Sequence, residues 1–284
     1  MKIGIVLEGG ASRTSFTNGV IDVLLREGIR ADYVIGTSAG IANGISYVSG
    51  QRGRNLKVSL RYMPDRRYMG KRYLLQRGNR SYYNIDFVFN QVPNQYVPFD
   101  YEAFRAFEGD VLACVTNIET GKAEYLPVRG ENGEWRELVA TCALPLLFQP
   151  VTIDGKRYLD GGVANPVPFE KALRDGCDKV IVVLTRERGY RKSEHEFLTD
   201  MSAAVYRKYP AFARKLVMRG AIYNRQREQL FARERQGRVF LITPDTTRHF
   251  KRTENDPAET LALYRQGVRC AEARMAALRR YLEE

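Results

Sequence analysis

Tyr33-Val34-Ile35-Gly36-Thr37-Ser38-Ala39-Gly40-Ile41 is the stretch whose reading decides the fold. An apolar run stops at Gly36, and Ile41, Ile45 and Val48 then recur at helical spacing up to Gly50, so the segment reads as strand, sharp turn and helix. The same unit precedes it: residues 2–7 form an apolar strand, Gly9-Gly10 turns the chain, and Phe16, Val20, Val23 and Leu24 repeat at helical spacing until Gly28. Further along, sheet-like sequence is expected at 111–116 and 123–128, joined by a hairpin across Glu119–Lys122, and a short helix over 134–142. The Asp154-Gly155 pair predicts another hairpin inside 151–158. A helix over 168–175, a strand at 180–184 and a strand at 239–242 restore the α/β alternation. The expected fold is α/β, with a mostly parallel central sheet flanked by helices.

Two regions depart from this rhythm. Residues 52–108 are rich in Arg and Tyr, carry Pro64, Pro93 and Pro98, and show little apolar periodicity, so they read as an inserted cap or lid. Residues 197–235 look helical, with Pro210 dividing or kinking them. The last helix starts at Asp256-Pro257, where Glu259 completes a capping-box pattern, and presents Leu261, Tyr264, Val268, Ala271, Met275, Leu278 and Leu282 on one face. With 284 residues and 44% hydrophobic composition, the expectation is a single domain, 1–284, carrying the 52–108 insertion and a mainly helical 197–284 part.

Candidate chemistry gathers at the turns. A G-x-S-x-G turn between strand and helix lets Gly36 and Gly40 avoid side-chain clashes while Ser38 projects its hydroxyl, the posture of a nucleophile; the plainer alternative is a serine that caps a helix. Only two strands precede Ser38, too few for an ordinary α/β-hydrolase. A histidine base would have to be His195 or His249, both in polar, loop-like surroundings, although the order Ser38, Asp160, His249 does match one known triad order. Asp160, followed by Gly161-Gly162, could take the serine proton directly if it lies within reach; alone, the tripeptide reads rather as a β-turn, and the pairing with Ser38 is what favours the base. Backbone N–H groups of Gly9, Gly10 and Ala11 could stabilise an oxyanion, or the loop could cradle a phosphate, though neither G-K-[ST] nor G-x-G-x-x-G is completed.

Together these motifs resemble the patatin-like phospholipase family in its bacterial branch, from Met1 to about Leu184. The resemblance rests on Glu8-Gly9-Gly10-Ala11-Ser12-Arg13-Thr14, on Gly36-Thr37-Ser38-Ala39-Gly40 and on Asp160-Gly161-Gly162, with Ala143-Leu144-Pro145-Leu146-Leu147-Phe148 before the last. It implies a patatin-like three-layer sandwich and a serine acyl hydrolase of phospholipase, lysophospholipase or esterase type. Ser38 is then the nucleophile, Asp160 its base, and Gly9, Gly10 and Ala11 the oxyanion hole, with Arg13 steadying the loop or meeting an anion. No cofactor and no metal are implied. The family loop usually reads G-G-G-x-[RK]-G, whereas Ala11 and Thr14 stand at two of its glycine positions. If position 11 needs positive φ, alanine there is strained; the alternative reading is a catalytically weakened lipid-binding or regulatory module on the same fold.

Formal net charge is +12, and from Arg52 to Arg80 ten basic residues interleave with Tyr62, Tyr68 and Tyr73 against the single acid Asp65. This 52–80 segment is expected to make transient contact with an anionic membrane surface or, equally, to be a solvated lid or oligomer contact, whereas nucleic acid is disfavoured for want of a binding motif. Four scattered cysteines, no long apolar run and no signal-peptide core lead to the expectation of a cytoplasmic protein, peripheral to the inner face of the membrane.

Overall fold

The computed structural model describes residues 1–130, 133–193, 203–251 and 254–284. His195 and the start of the 197–235 helical expectation lie outside them. Among the described residues, eight strands form one mixed sheet: β1 (Ile3–Leu7), β2 (Tyr33–Thr37), β3 (Asp110–Asn117), β4 (Ala123–Pro127), β5 (Val151–Ile153), β6 (Lys156–Asp160), β7 (Lys179–Val183) and β8 (Phe240–Ile242). The run β3-β2-β1-β7-β8 is parallel throughout, and β4, β5 and β6 join it antiparallel at the β3 side.

Side chains alternating along β1 divide two cores. Ile5 and Leu7 pack with Phe16, Val20 and Leu24 of helix α1 (Thr14–Arg26) and with Ile41 and Ile45 of helix α2 (Ala39–Val48); Val6 packs on the other face with Phe169, Ala172 and Leu230. The sheet is thus covered on both faces, as parallel strands with continuous apolar sequence require. The Asp154-Gly155 turn joins β5 to β6 with φ of 49° and 75°, the doubly left-handed turn that matches strand twist.

The strand register explains how distant residues meet. β2 pairs with residues 110–114 of β3, β6 pairs with residues 115–117, and β4 pairs with residues 112–116. Residues 112–114 thus have β2 and β4 as neighbours, and residues 115–116 have β4 and β6. β2 and β6 therefore follow one another end to end along the same edge of β3. Thr37 lies opposite Cys114 and Asp160 opposite Val115, so the end of β6 arrives where β2 turns away.

The 52–108 insertion is built from short helices, Arg54–Arg61, Arg72–Leu75 and Tyr101–Arg105, with a π-helical stretch over Phe87–Tyr96, around a small core of Tyr62, Phe87, Val92 and Val97. Proline spacing and scattered aromatics hid these elements. Pro210 opens a helix, Pro210–Val217, as its first residue, and Arg219–Arg235 follows.

The C-terminal helix, Pro257–Glu283, is capped by Asp256, whose carboxylate accepts from Ala258 N at 2.8 Å. The reciprocal half of the expected capping box is replaced: Asp256 N donates to Glu254 Oε1 at 3.1 Å, not to Glu259. The buried face is also rotated from the expected one, with Leu263, Gly267 and Tyr281 buried and Leu261, Val268 and Leu282 at its margin. Glycine sets that rotation. A Cβ at Gly267 would come within 2.1 Å of Phe16 O, and one at Gly19 within 2.2 Å of Tyr264 O, so the helix and α1 touch backbone to backbone. Gly267→Ala should therefore lower stability by about 1–3 kcal/mol, as overpacking does, read as a shift in urea midpoint. Gly189→Ala, where an added Cβ meets nothing within 4 Å, should leave the midpoint nearly unchanged.

Candidate active site

Ser38 sits between β2 and α2 with φ 54° and ψ −135°, a strained backbone for a residue with a side chain. The fold pins it there from several sides. A Cβ at Gly40 would meet Leu7 O at 2.6 Å and one at Gly36 would meet Ile41 N at 2.8 Å, so both flanking glycines are required by close approach. Ser38 N donates to Thr141 Oγ1 at 2.8 Å, and Thr141 Oγ1 donates to Cys114 O at 2.5 Å, which ties the turn to β3.

Asp160, only 2% exposed, comes to the same place through β6. Its main chain is fixed by Asp160 N donating to Ala143 O at 2.8 Å and by Thr116 Oγ1 donating to Asp160 O at 2.9 Å. Oδ1 accepts from Gly162 N at 2.7 Å, while Oδ2 is buried with no hydrogen-bond partner among the described residues. Ser38 and Asp160 line one cavity of about 420 Å³ without a direct hydrogen bond between them. Such contacts are often long in a ligand-free site and tighten around a reacting group.

Gly9 and Gly10 line this cavity as well. A Cβ at Gly9 would meet Thr37 O at 2.9 Å, so the loop is pressed onto the Ser38 turn. Ala11 has φ 50°, the left-handed backbone that costs alanine about 1 kcal/mol. The second departure from the glycine pattern supports the first: Thr14 Oγ1 donates to Ala11 O at 2.7 Å and accepts from Asn43 Nδ2 of α2 at 2.8 Å. Ala11 faces a second, apolar cavity, and Arg13 faces the first.

Among the described residues, Ser38 is the one that the two cavities share. The second is walled by Val58, Tyr68, Phe89, Val92, Trp135 and Leu138, so the insertion forms one of its sides. His249 is exposed and lies outside both cavities, although its neighbours Phe250 and Lys251 line the first. The described residues hold no cluster of three or more metal-ligating side chains.

Several residues of the site have roles that the motifs did not assign. Glu8 is 2% exposed and held on both oxygens, Oε1 by Tyr223 OH at 2.7 Å and Oε2 by Thr185 N at 2.5 Å. The signal for it was a carboxylate wedged between a buried strand and a glycine pair, where ionised groups are scarce. Burial, reinforced by the charge of Glu8, pushes the Tyr223 phenol well up. Cys114 and Cys142 flank Asp160: burial drives the Cys114 thiol up to about 12 and the Cys142 thiol up as well, and in both the charge of Asp160 adds to the rise. Both cysteines are thus protonated and inert at neutral pH.

A family model described as Patatin-like phospholipase matches residues 5–173, more than half of the chain. The chain belongs to the patatin-like phospholipase family. A further model, a domain of unknown function (DUF6363), matches residues 209–283 of this patatin-like protein. Among its relatives, an uncharacterized protein of Escherichia coli (strain K12), YjjU, is 28% identical over 190 residues, which is 65% of this chain and 52% of YjjU. Lysophospholipase nte1 of Aspergillus terreus is 28% identical over 188 residues, 64% of this chain and 12% of that protein. The patatin-like chain thus corresponds to about half of one relative and a small part of the other. VipD from Legionella pneumophila aligns with 96% of this chain and 67% of its own at 13% identity and a TM-score of 0.43, too loose a likeness to carry an argument.

Thr141→Val should remove the acceptor of Ser38 N and the donor to Cys114 O together. Two buried backbone groups left unpaired cost about 1–3 kcal/mol each, so a loss in that range or above is expected in chemical denaturation.

Proposed function

We propose that this protein is a serine acyl hydrolase acting on acyl esters of lipids. Ser38 attacks the ester carbonyl, Asp160 accepts the hydroxyl proton and passes it to the departing alcohol, and water activated by Asp160 then releases the acyl group from Ser38. N–H groups of the Gly9-Gly10-Ala11 loop stabilise the oxyanion in each half-reaction. The observation that carries this reading is the meeting of a strained serine and a buried carboxylate, one oxygen of which has no partner among the described residues, in one cavity. Family membership and a relative named as a lysophospholipase support the lipid ester as substrate.

A fluorophosphonate probe and a short-chain ester test it. Ser38→Ala should abolish labelling, and Asp160→Asn should lower kcat/KM by about 10²–10⁴, the usual worth of a general base, with the fold retained by circular dichroism. The positive φ of Ala11 favours a second reading, a weakened binding module. Folded wild type that neither labels nor turns over ester would select it.

We also read the 52–80 segment as a contact for the anionic inner face of a membrane, the protein itself being cytoplasmic. Leu75, 91% exposed, stands among the exposed Lys71, Arg72, Arg77 and Arg80. Part of the basic run is engaged within the fold: Arg54 bonds Val97 O and stacks on Phe99, and Arg67 pairs with Asp65 beneath Phe87 and Tyr96. No helix among the described residues is long and apolar enough to cross a membrane. Arg77→Gln with Arg80→Gln should weaken sedimentation with phosphatidylglycerol vesicles at low salt by about fivefold per charge, each basic residue near an anionic surface contributing about 1 kcal/mol. Equal binding of the double variant and wild type would reject this contact.

A further inference from the structure

The two cavities that meet at Ser38 differ in chemistry. The apolar one carries, among the described residues, a single cation, Arg54, whose guanidinium is engaged by Val97 O and Ser46 Oγ. Among the described residues, the other is lined by five cations, Arg13, Arg186, Lys192, Arg219 and Lys251, against two carboxylates. One of these, Glu8, already accepts from Thr185 N and Tyr223 OH, and the other is Asp160. Four of the five cations lie beyond residue 173, where the patatin match ends, and Arg219 and Lys251 fall within the segment matched only as a domain of unknown function.

Arg186 is built into the wall, whereas Lys251 stands at the exposed rim. Arg186 lies over the Tyr190 ring, 4.2 Å from its centroid, and donates to Thr247 Oγ1 at 2.9 Å, while its Nε is buried with no hydrogen-bond partner among the described residues. Tyr190 in turn packs edge-on against Tyr223, whose hydroxyl holds Glu8. Arg219 stands beside the Asp160 turn: a Cβ added at Gly162 would meet its Nη2 at 3.9 Å. A concave site with converging cations and low-dielectric walls focuses positive potential and raises the local concentration of anionic ligands, and guanidinium groups match phosphate geometry.

Resting on the hydrolase reading for the position of the ester, we propose that the C-terminal segment builds a headgroup site in this cavity. It selects esters whose polar part carries net negative charge, a phosphate monoester above all, over zwitterionic or neutral ones. The acyl chain of the same molecule lies in the apolar cavity on the other side of Ser38. The segment matched as a domain of unknown function then contributes Arg219 and Lys251 to the wall of the site, and together with Arg186, which lies between the two matches, they read the headgroup charge.

Binding in the Ser38→Ala protein separates this from the hydrolase reading, because it needs no turnover. Lauroyl lysophosphatidate, lauroyl lysophosphatidylcholine and monolaurin, all below their critical micelle concentrations, are titrated calorimetrically. Lysophosphatidate should bind at least tenfold tighter than the other two, and Arg186→Gln or Lys251→Gln in the same background should each cut that preference several-fold. Lys251 is exposed, so its variant tests the idea even if Arg186→Gln is destabilised. Equal affinity for the three lipids, no binding of any, or a preference untouched by both variants would overturn the proposal. A preference for lysophosphatidate alongside wild type that hydrolyses none of them would leave the headgroup site standing and remove the hydrolase reading.

Discussion

One edge of β3 holds the site together. It is shared in sequence by β2 and then by β6, and the exchange takes place between Cys114 and Val115. Because β2 must leave that edge for β6 to take it, the chain after Thr37 has to turn sharply, and the residue at that turn is placed beside the end of β6. The Cys114 carbonyl marks the junction. Thr141 donates to it and holds Ser38 N, while Gly161 packs so close that a Cβ there would come within 2.1 Å of the same oxygen. The proximity of Ser38 and Asp160 is thus a property of strand register, which a one-residue slip would destroy.

The glycine-rich loop depends on this junction from the other side. It presses on the Ser38 turn through Gly9, is tied to α2 through Thr14 and Asn43, and runs straight into α1. α1 is in turn clasped by the C-terminal helix at Gly19 and Gly267. The far end of the chain therefore supports the first loop of the sheet, and Glu8, bonded to Tyr223 of the helix Arg219–Arg235, adds a polar tie between the same two regions.

What was legible in the sequence follows from the range of each constraint. Gly36, Ser38 and Gly40 answer to sterics within five residues, so the turn can be read locally, and Asp154-Gly155 announces its hairpin for the same reason. The strain at Ala11 was legible as a conditional, since a departure from glycine matters only where φ is positive, and it is. Thr141, the role of Glu8 and the cations of the polar cavity other than Arg13 were hidden because they reach the site across long stretches of chain and belong to types common elsewhere. In the last helix, apolarity alone misplaced the buried face: close approach favours the smallest residue, Gly267, which no hydrophobic pattern marks.

A site in which Ser38 lines both an oily cavity and a charged one imposes an order on events. On the proposed chemistry, cleavage at Ser38 leaves the acyl chain anchored on the oily side and the alcohol free on the charged side. The alcohol can depart and water arrive by the same wet route while the chain stays where it was. The two substrates of the second half-reaction never compete for space, and the long hydrocarbon is released last, once its only covalent tether is cut.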